Sequence, residues 1–557
     1  MEENEKNIPA TPVPEVENAV PAEAPSVEAP TAPAATDEKA ANPAEAAPAA
    51  AASPAPAGNE AAEKAAPETA PKAETPARPA PRPVAAKPAP KPAVNEIKPE
   101  LVAPEQLHDR LAELKNQGYA LLENLTGVDW GEEGLGAVYT LTNPETFEMV
   151  HVKAVSPNRE QPVLPSACDL WDIANFYERE VYDFYGVIFV NHPDLRRIFL
   201  REDWVGFPFR KDDKPEEKNE EVAVGDEPIS DLAPCYTLNA DGTLHCERTP
   251  LFADDDYVIN LGPQHPSTHG VLHFRTRIDG EIITKIDPHL GYIHRSIEKI
   301  SEDLTYPQTL ALTDRMDYLG AMQNRHALCA CIEQAMGVEV SDRVQVIRTI
   351  MDELQRIDSH ILFFSCLCQD LGATTAFLYG FRDREKILDI FEETCGGRLI
   401  LNYNMIGGLA YDIHPNFQHR VKGPWDRVQT RESLKEYDDI FTGNVIFQTR
   451  AKGVGVLTKE QVISFGCTGG TGRASGWHND LRKHRPYAAY DRVEFNEVVR
   501  TEGDSFARYM IRMDEIRESL HIIEQLIDNI PEGNFAEKMR PVIKIPAGTY
   551  YHAVEGS

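Results

Sequence analysis

The sequence lacks the motifs that several large enzyme classes require. It has no Cys-x-x-Cys pair and no Gly-x-Gly-x-x-Gly dinucleotide fingerprint. A glycine-rich segment, FGCTGGTGR at residues 465–473, lacks the Gly-Lys-Ser/Thr ending of a P-loop. We interpret it as a close backbone crossing inside a helical bundle. The nine cysteines are odd in number and follow no framework spacing, which is typical of a reducing compartment.

The chain also has little positive charge and no long apolar run free of polar residues. Its net charge is −33, which disfavours binding to nucleic acid or to anionic lipid. The first residues are polar and acidic, so no signal peptide is predicted. Residues 361–381 are largely apolar, but Asp370 lies in their middle, and a buried helix end is a better interpretation than a membrane span.

Aromatic residues and cysteine are absent from residues 1–98, which contain half of the chain's 42 prolines. Such a segment cannot bury enough apolar surface to fold, so a disordered Ala/Pro-rich tail is predicted there. A small α/β domain is predicted over residues 99–213, with a helix at 104–117, strands at 137–141 and 149–154, and a helix at 169–181. Residues 214–252 are charged and are predicted to form a linker.

A large, mainly helical domain with an N-terminal β-hairpin region is predicted over residues 253–557, which makes the fold class α+β. Ser341 is predicted to cap a long helix with a wide apolar face. Residues 305–336 and 374–395 are predicted to be its helical neighbours in a buried bundle. A second tight turn is predicted at Asp279-Gly280.

The segment GPQHPSTHG at residues 262–270 is the most informative candidate site. Alternating apolar residues bracket it, so it is predicted to be the tip of a hairpin that presents His265 and His269. Histidine exchanges protons readily near neutral pH, and loops on rigid scaffolds often carry binding residues. An ordinary surface hairpin is an equally good interpretation of the loop alone. A zinc site is disfavoured, because no third ligand lies near in sequence.

Several further motifs resemble respiratory complex I. The hairpin segment, GYIHRSIEK at 291–299, DRMDY at 314–318, QDLGA at 369–373 and GVG at 453–455 are similar, in order, to the 49-kDa (D) subunit. EREVYDFYG at 178–186, HPDLRRI at 192–198 and RKD at 210–212 are similar to the 30-kDa (C) subunit. The two signatures in one chain resemble the fused C/D subunits of some bacteria.

The resemblance implies a peripheral-arm subunit of a proton-pumping NADH:quinone oxidoreductase, on the cytoplasmic side of the cell inner membrane. Tyr318 and His269 would then bind the quinone headgroup with His265 nearby, and Asp370 would orient His269. Arg295 would lie against the terminal iron–sulfur cluster of the B subunit. The I, H and A subunits would be further partners. The chain itself is expected to bind no cluster, flavin or nickel.

The D-subunit family is distantly related to the large subunit of nickel–iron hydrogenases, whose metal is held by Cys-x-x-Cys pairs. Their absence implies that the quinone cavity replaces the metal site. A membrane-bound hydrogenase subunit and a non-catalytic scaffold are the alternative functions. The sequence leaves open whether NADH or ferredoxin is the electron donor.

Two departures from the family are visible. Many relatives carry a histidine where Ile400 stands, and that histidine hydrogen-bonds the terminal cluster, so its loss favours a low-potential acceptor such as menaquinone over ubiquinone. Relatives also continue past the residues that match 550–557, and a truncated chain is therefore expected.

Overall fold

The computed structural model describes residues 96–213, 219, 229–423, 427–540 and 542–556. All of them belong to one unit of the chain, residues 87–557. The predicted disordered tail lies outside the described residues except for residues 96–98, which include the short strand β1 (Glu96–Ile97). Disorder of the tail therefore stays a prediction.

The first region contains β2 (Glu100–Val102), α1 (Pro104–Asn116), β3 (Leu121–Asp129), β4 (Leu135–Thr142), β5 (Met149–Ser156), β6 (Val163–Pro165), α2 (Ala174–Tyr185) and β7 (Ile188–Val190). Four strands form a sheet in the order β2-β5-β4-β3, with β2 parallel to β5 and the other neighbours antiparallel. Pro104 starts α1, and Leu107, Leu111 and Leu114 of its apolar face are buried in the core. The predicted strands and the predicted first helix are confirmed.

The helix predicted at residues 169–181 begins later, at Ala174. The amides of Leu170 and Trp171 donate to the carbonyl of Ala167, so hydrogen-bonded turns precede the helix. The amide of Ile173 donates to the carbonyl of Ser464, far later in the chain. A long-range bond therefore helps to set the start of this helix, and local periodicity does not contain it.

A hairpin lies within the segment predicted to be a linker. Its strands are β8 (Leu232–Leu238) and β9 (Leu244–Pro250), while residues 214–218 and 220–228 are outside the described part of the chain. The carbonyls of Tyr236 and Pro234 accept from the amides of Asn191 and Leu195 in the first region. Docking on the first region thus gives order to a sequence whose charge alone suggested a loop.

The predicted histidine hairpin is confirmed. Strand β10 (Val258–Leu261) pairs antiparallel with β13 (His273–Asp279), and β11 (Gln264–His265) pairs with β12 (Gly270–Val271) at the tip. The predicted turn at Asp279-Gly280 joins β13 to β14 (Ile282–His289), which completes a three-stranded sheet.

The rest of the described chain is mainly helical, with four long helices at its core. It contains α3 (Ile297–Glu302), α4 (Tyr306–Thr313), α5 (Ala321–Met336), α6 (Asp342–Asp370), α7 (Thr374–Cys395), β15 (Asn404–Met405), β16 (Gly408–Leu409), α8 (Phe417–Lys422), α9 (Arg427–Tyr437), α10 (Val445–Ala451), α11 (Lys459–Ser464), α12 (Gly469–Ala474), α13 (Leu481–His484), α14 (Ser505–Leu526) and β17 (Thr549–Tyr550). Ser341 caps α6 as predicted, because its hydroxyl accepts from the amide of Val344. Among the described helices, none combines the length and hydropathy that a membrane crossing requires.

The predicted helical segment 305–336 is broken at residues 314–320, between α4 and α5. Asp314, 1% exposed, accepts from the amide of Asn402 at 2.7 Å and from Arg325 at 3.3 Å. These tertiary bonds use the Asp314 side chain where α4 ends. Local sequence favoured a continuous helix, and the buried contacts determine the break.

The first region packs directly on the helical region. The indole of Trp477 donates to the carbonyl of Pro144 at 3.0 Å, and the Ser464 hydroxyl donates to Asp172 at 2.7 Å. The two parts of the chain therefore share one continuous surface of contact. With its mixture of sheets and bundle, the described chain has the predicted α+β character.

Candidate functional site

The tip of the histidine hairpin is a rigid turn rather than a flexible loop. The hydroxyl of Thr268 donates to the carbonyls of His265 (2.8 Å) and Gly270 (3.0 Å), and Nδ1 of His265 accepts from the amide of Ser267. A short 3₁₀ turn, Pro266–Thr268, separates the two histidines. His269 has a left-handed backbone, φ 50°, which is uncommon outside glycine. The turn therefore fixes where both imidazoles begin.

His269 contacts Asp370, the last residue of α6. Nε2 of His269 lies 2.8 Å from Oδ2 of Asp370, and the two side chains are 44% and 39% exposed. A carboxylate at the C-terminal end of a helix lies at the negative end of the helix dipole, where a protonated imidazole is a favourable neighbour. The contact predicted from the family resemblance is thus present, at an accessible point on the surface of this chain.

Tyr318 lies in the break between α4 and α5. Its side chain is 54% exposed, and its hydroxyl bonds none of the described residues. The backbone around it is held, because Asp317 accepts from the amide of Leu319 and its carbonyl accepts from the Asn324 side chain. Within the described chain, no hydrogen bond joins Tyr318 to either hairpin histidine. A ligand would have to bridge them.

The other two predicted positions are also loop residues. Arg295 is exposed, and within the described residues it forms no ion pair or hydrogen bond. Ile400 is half-buried in the segment between α7 and β15. The same segment contains Asn402, which the buried Asp314 holds from the Tyr318 side. One carboxylate therefore links the loop of Tyr318 to the loop of Ile400.

A buried ion network in the bundle is absent from the sequence prediction. Glu353 on α6 is fully buried, with Arg356 at 3.3 Å and Arg482 at 3.0 Å. Burial would raise the pKa of Glu353, but the two guanidinium groups outweigh it and lower this pKa to about 2. The signal in the sequence was a run of charged residues on the apolar helix α6, at positions 348, 352, 353, 356 and 360.

The same network continues through α14. Glu515 accepts from Arg473 at 2.7 Å and lies 2.8 Å from Nε2 of His360. Arg473 also pairs with Glu555 at 2.8 Å. Removing one partner from a buried pair of this kind typically costs about 3–5 kcal/mol, so the network strongly constrains how α6 and α14 pack.

The glycine-rich segment has two roles, of which the sequence predicted one. A Cβ on Gly472 would lie 2.5 Å from Nδ2 of Asn479, which confirms a close backbone approach. Gly466, Gly469 and Gly470, however, line a cavity of about 470 Å³ together with His360 and Arg473. The prediction of a simple packed crossing was therefore incomplete. The cavity lies between the first region and the helical bundle.

One cluster in the first region has a donor set that could hold a metal ion. Ligand atoms of Cys168, Glu178 and His192 all lie within 4.8 Å of one another. Glu178 already accepts from Ser166 and from the amide of Ala167, and both ring nitrogens of His192 are in hydrogen bonds with the backbone. The described contacts therefore satisfy these groups without a metal.

Two family models match this chain. Residues 101–219 match the respiratory-chain NADH dehydrogenase 30 Kd subunit, and residues 370–556 match the respiratory-chain NADH dehydrogenase 49 Kd subunit. The C/D subunit of the Bacteroides thetaiotaomicron NADH-quinone oxidoreductase is 60% identical over 471 residues, covering 82% of this chain and 88% of the relative. The Phocaeicola vulgatus protein of the same name is 62% identical over 82% of this chain and 87% of the relative. A second such C/D protein, from Aquifex aeolicus, is 39% identical over 78% and 76% of the two chains.

Proposed function

The chain belongs to the family of fused C/D subunits of NADH-quinone oxidoreductase, and from that membership we propose that it forms the quinone-reduction site of a proton-translocating complex. Quinone reduction consumes two electrons and two protons. The electrons would come from a terminal iron–sulfur cluster in a partner B subunit. The 2.8 Å contact between His269 and Asp370 is the observation that carries the proposal, because it supplies a proton-exchanging pair at an accessible surface.

In this proposal the headgroup lies between the hairpin tip and the Tyr318 loop. One carbonyl would accept a hydrogen bond from His269 and the other from the hydroxyl of Tyr318, with His265 nearby. Support comes from the exposed Tyr318 hydroxyl, which has no partner among the described residues, and from the rigid turn below both histidines. Asp370 would hold His269 in position and balance its charge.

Arg295 is proposed to face the partner's cluster and to raise its potential electrostatically. Its exposure and its lack of a described carboxylate partner support this role. With Ile400 instead of a histidine nearby, the cluster would lack a hydrogen bond, and menaquinone is the preferred acceptor. We further propose that the bundle has a hydrogenase-type fold and that the chain assembles with the I, H and A subunits on the cytoplasmic side of the inner membrane.

A single-atom change tests the headgroup site. Tyr318→Phe removes only the hydroxyl, so quinone reduction by the assembled complex should fall at least about tenfold. Electron transfer to an artificial acceptor that takes electrons before the quinone should be unchanged. Tyr257→Phe, at another exposed tyrosine, is the matched control. Normal quinone reduction in Tyr318→Phe would contradict the proposal and favour a non-catalytic scaffold.

A further inference from the structure

The segment that carries Arg295 rests on the first region of the chain. The amide of Leu290 donates to the carbonyl of Ile198 at 3.3 Å. Gly291, with φ 97°, packs so closely on the backbone of Phe199 that a Cβ would collide with the Phe199 carbonyl oxygen. At the other end, Nζ of Lys299 donates to the carbonyl of Phe209 at 3.4 Å. The segment is thus attached to the first region both before and after Arg295.

Between these attachments, the ring of His294 lies among three phenylalanines, which we call the aromatic seat: Phe184, Phe199 and Phe209. The His294 ring centroid is 4.8 Å from that of Phe184, 5.0 Å from Phe199 and 6.3 Å from Phe209. Phe184 and Phe209 stack on each other at 4.2 Å. Offset ring contacts of this kind contribute about 0.5–1.5 kcal/mol each beyond their buried area, so the ring has one preferred position.

The residue after Arg295 is held in an unusual conformation. Ser296 has φ 51°, in the left-handed region, which costs a residue other than glycine on the order of 1–3 kcal/mol. Its amide donates to Nδ1 of His294 at 3.3 Å. The other ring nitrogen of His294 faces Glu298 at 3.7 Å. The seated imidazole therefore helps to hold the turn immediately after Arg295.

Arg295 lies between the seated His294 and the constrained Ser296, yet its own side chain is exposed. We propose that the aromatic seat of the C-like region positions Arg295, and that His294 is the residue through which it acts. The inference rests on the proposed placement of Arg295 beside the partner's cluster. The interaction energy of two charges varies inversely with their separation, so a loosened segment changes the effect of Arg295 without removing its charge.

This gives the first region a role in the redox reaction. None of its described residues belongs to the proposed quinone site, and its sheet supplies no redox group. Through Phe184, Phe199 and Phe209 it determines where a cationic side chain of the D-like region stands. His294 is a positioning residue in this scheme, because it would touch neither quinone nor cluster.

The test compares four variants in the assembled complex. His294→Ala removes the seated ring, His294→Phe keeps a ring that can stack, Arg295→Gln removes the charge, and His478→Ala is a control at an exposed histidine. The readouts are the cluster midpoint by redox-titrated electron paramagnetic resonance and amide hydrogen exchange of residues 291–300. Arg295→Gln should lower the equilibrium constant for cluster reduction by about tenfold, which is about 59 mV for a one-electron couple.

His294→Ala should lower the midpoint in the same direction and raise amide exchange in residues 291–300. His294→Phe should restore most of both values, and His478→Ala should change neither. If His294→Ala lowers the yield of complex, Phe199→Leu trims the seat from the first region and should give the same two changes.

Two results would overturn the inference in different ways. If Arg295→Gln shifts the midpoint while His294→Ala changes neither readout, the seat does not position Arg295, and the proposed function stands. If Arg295→Gln leaves the midpoint unchanged, Arg295 does not lie beside the cluster, and both the proposed placement and the inference fail.

Discussion

The amide of Asn402 donates to Oδ2 of Asp314 at 2.7 Å, although the two residues are 88 positions apart. Asp314 begins the loop of Tyr318, and Asn402, with φ 48°, belongs to the loop of Ile400. Arg325 strengthens the joint, because it donates to Asp314 and to the carbonyl of Asn404. The proposed headgroup site and the proposed cluster-facing loop therefore share one buried carboxylate.

Loss of this carboxylate should loosen the proposed quinone site. Asp314→Asn removes the counter-ion of the buried Arg325, whose remaining acceptors are backbone carbonyls. We expect a lower melting temperature for the complex and a KM for quinone several-fold above wild type, with a smaller change in kcat. Asp303→Asn, at an exposed aspartate, is the control. An unchanged KM with normal stability would show that the joint has no influence on the Tyr318 loop.

Asp370→Asn should impair turnover without affecting assembly. The amide cannot balance the charge of a protonated His269, and general acid–base contributions of this type are worth about 10²–10⁴ in rate. We expect quinone reduction to fall at least about tenfold, because His269 itself remains. Activity is measured in the assembled complex beside Asp439→Asn, a change at an exposed aspartate. Wild-type turnover in Asp370→Asn would remove the assigned role.

Ile400→His should raise the midpoint of the partner's cluster and make it depend more steeply on pH. A charge-assisted hydrogen bond is worth about 1.5–3 kcal/mol, and about 59 mV corresponds to about 1.4 kcal/mol for a one-electron couple. The expected rise is therefore about 60–130 mV. Redox-titrated electron paramagnetic resonance of the complex gives both quantities. A wild-type midpoint that already falls steeply with pH would mean that another group titrates there.

Glu178 should make stability depend on pH. Burial raises the pKa of Glu178 to about 8, although hydrogen bonds from Ser166, Ala167 and Cys168 lower it in part. The ordinary value is 4.5, so the stability that Glu178 contributes is fully present below about pH 4.5 and is lost as pH rises through about 8.

We therefore expect the melting temperature of Glu178→Gln, relative to wild type, to increase between about pH 5 and pH 8. Thermal unfolding at a series of pH values measures this difference, and Glu145→Gln, at an exposed glutamate, should show none of it. A difference that is constant with pH would show that Glu178 is ionised in the folded protein.

The sequence predicted the parts of the fold that local patterns determine. Leucines at helical spacing defined α1, the Ser341 cap defined the start of α6, and alternation around two turns defined the histidine hairpin. The family resemblance supplied the link from His269 to Asp370, which are 101 residues apart, and the structure contains that contact.

Features that depend on distant partners were not predictable in this way. The break at Asp314 depends on Asn402, and the hairpin at residues 232–250 depends on its docking to the first region. The network around Glu353 was missed because apolar periodicity gives no information about charged residues that neutralise one another inside a bundle. A hydrogen bond between parts of the chain that are far apart leaves no local signal.

The packing of the first region on the bundle has a consequence for biosynthesis. Leu121 of β3 is only 3% exposed, because it packs in a cluster with Val462 and Trp477. A ribosome adds about 5–20 residues per second, so Trp477 follows the end of the first region by on the order of 10–50 s. During that interval the apolar face around Leu121 is uncovered on the nascent chain. This face is where a chaperone that acts during translation would bind.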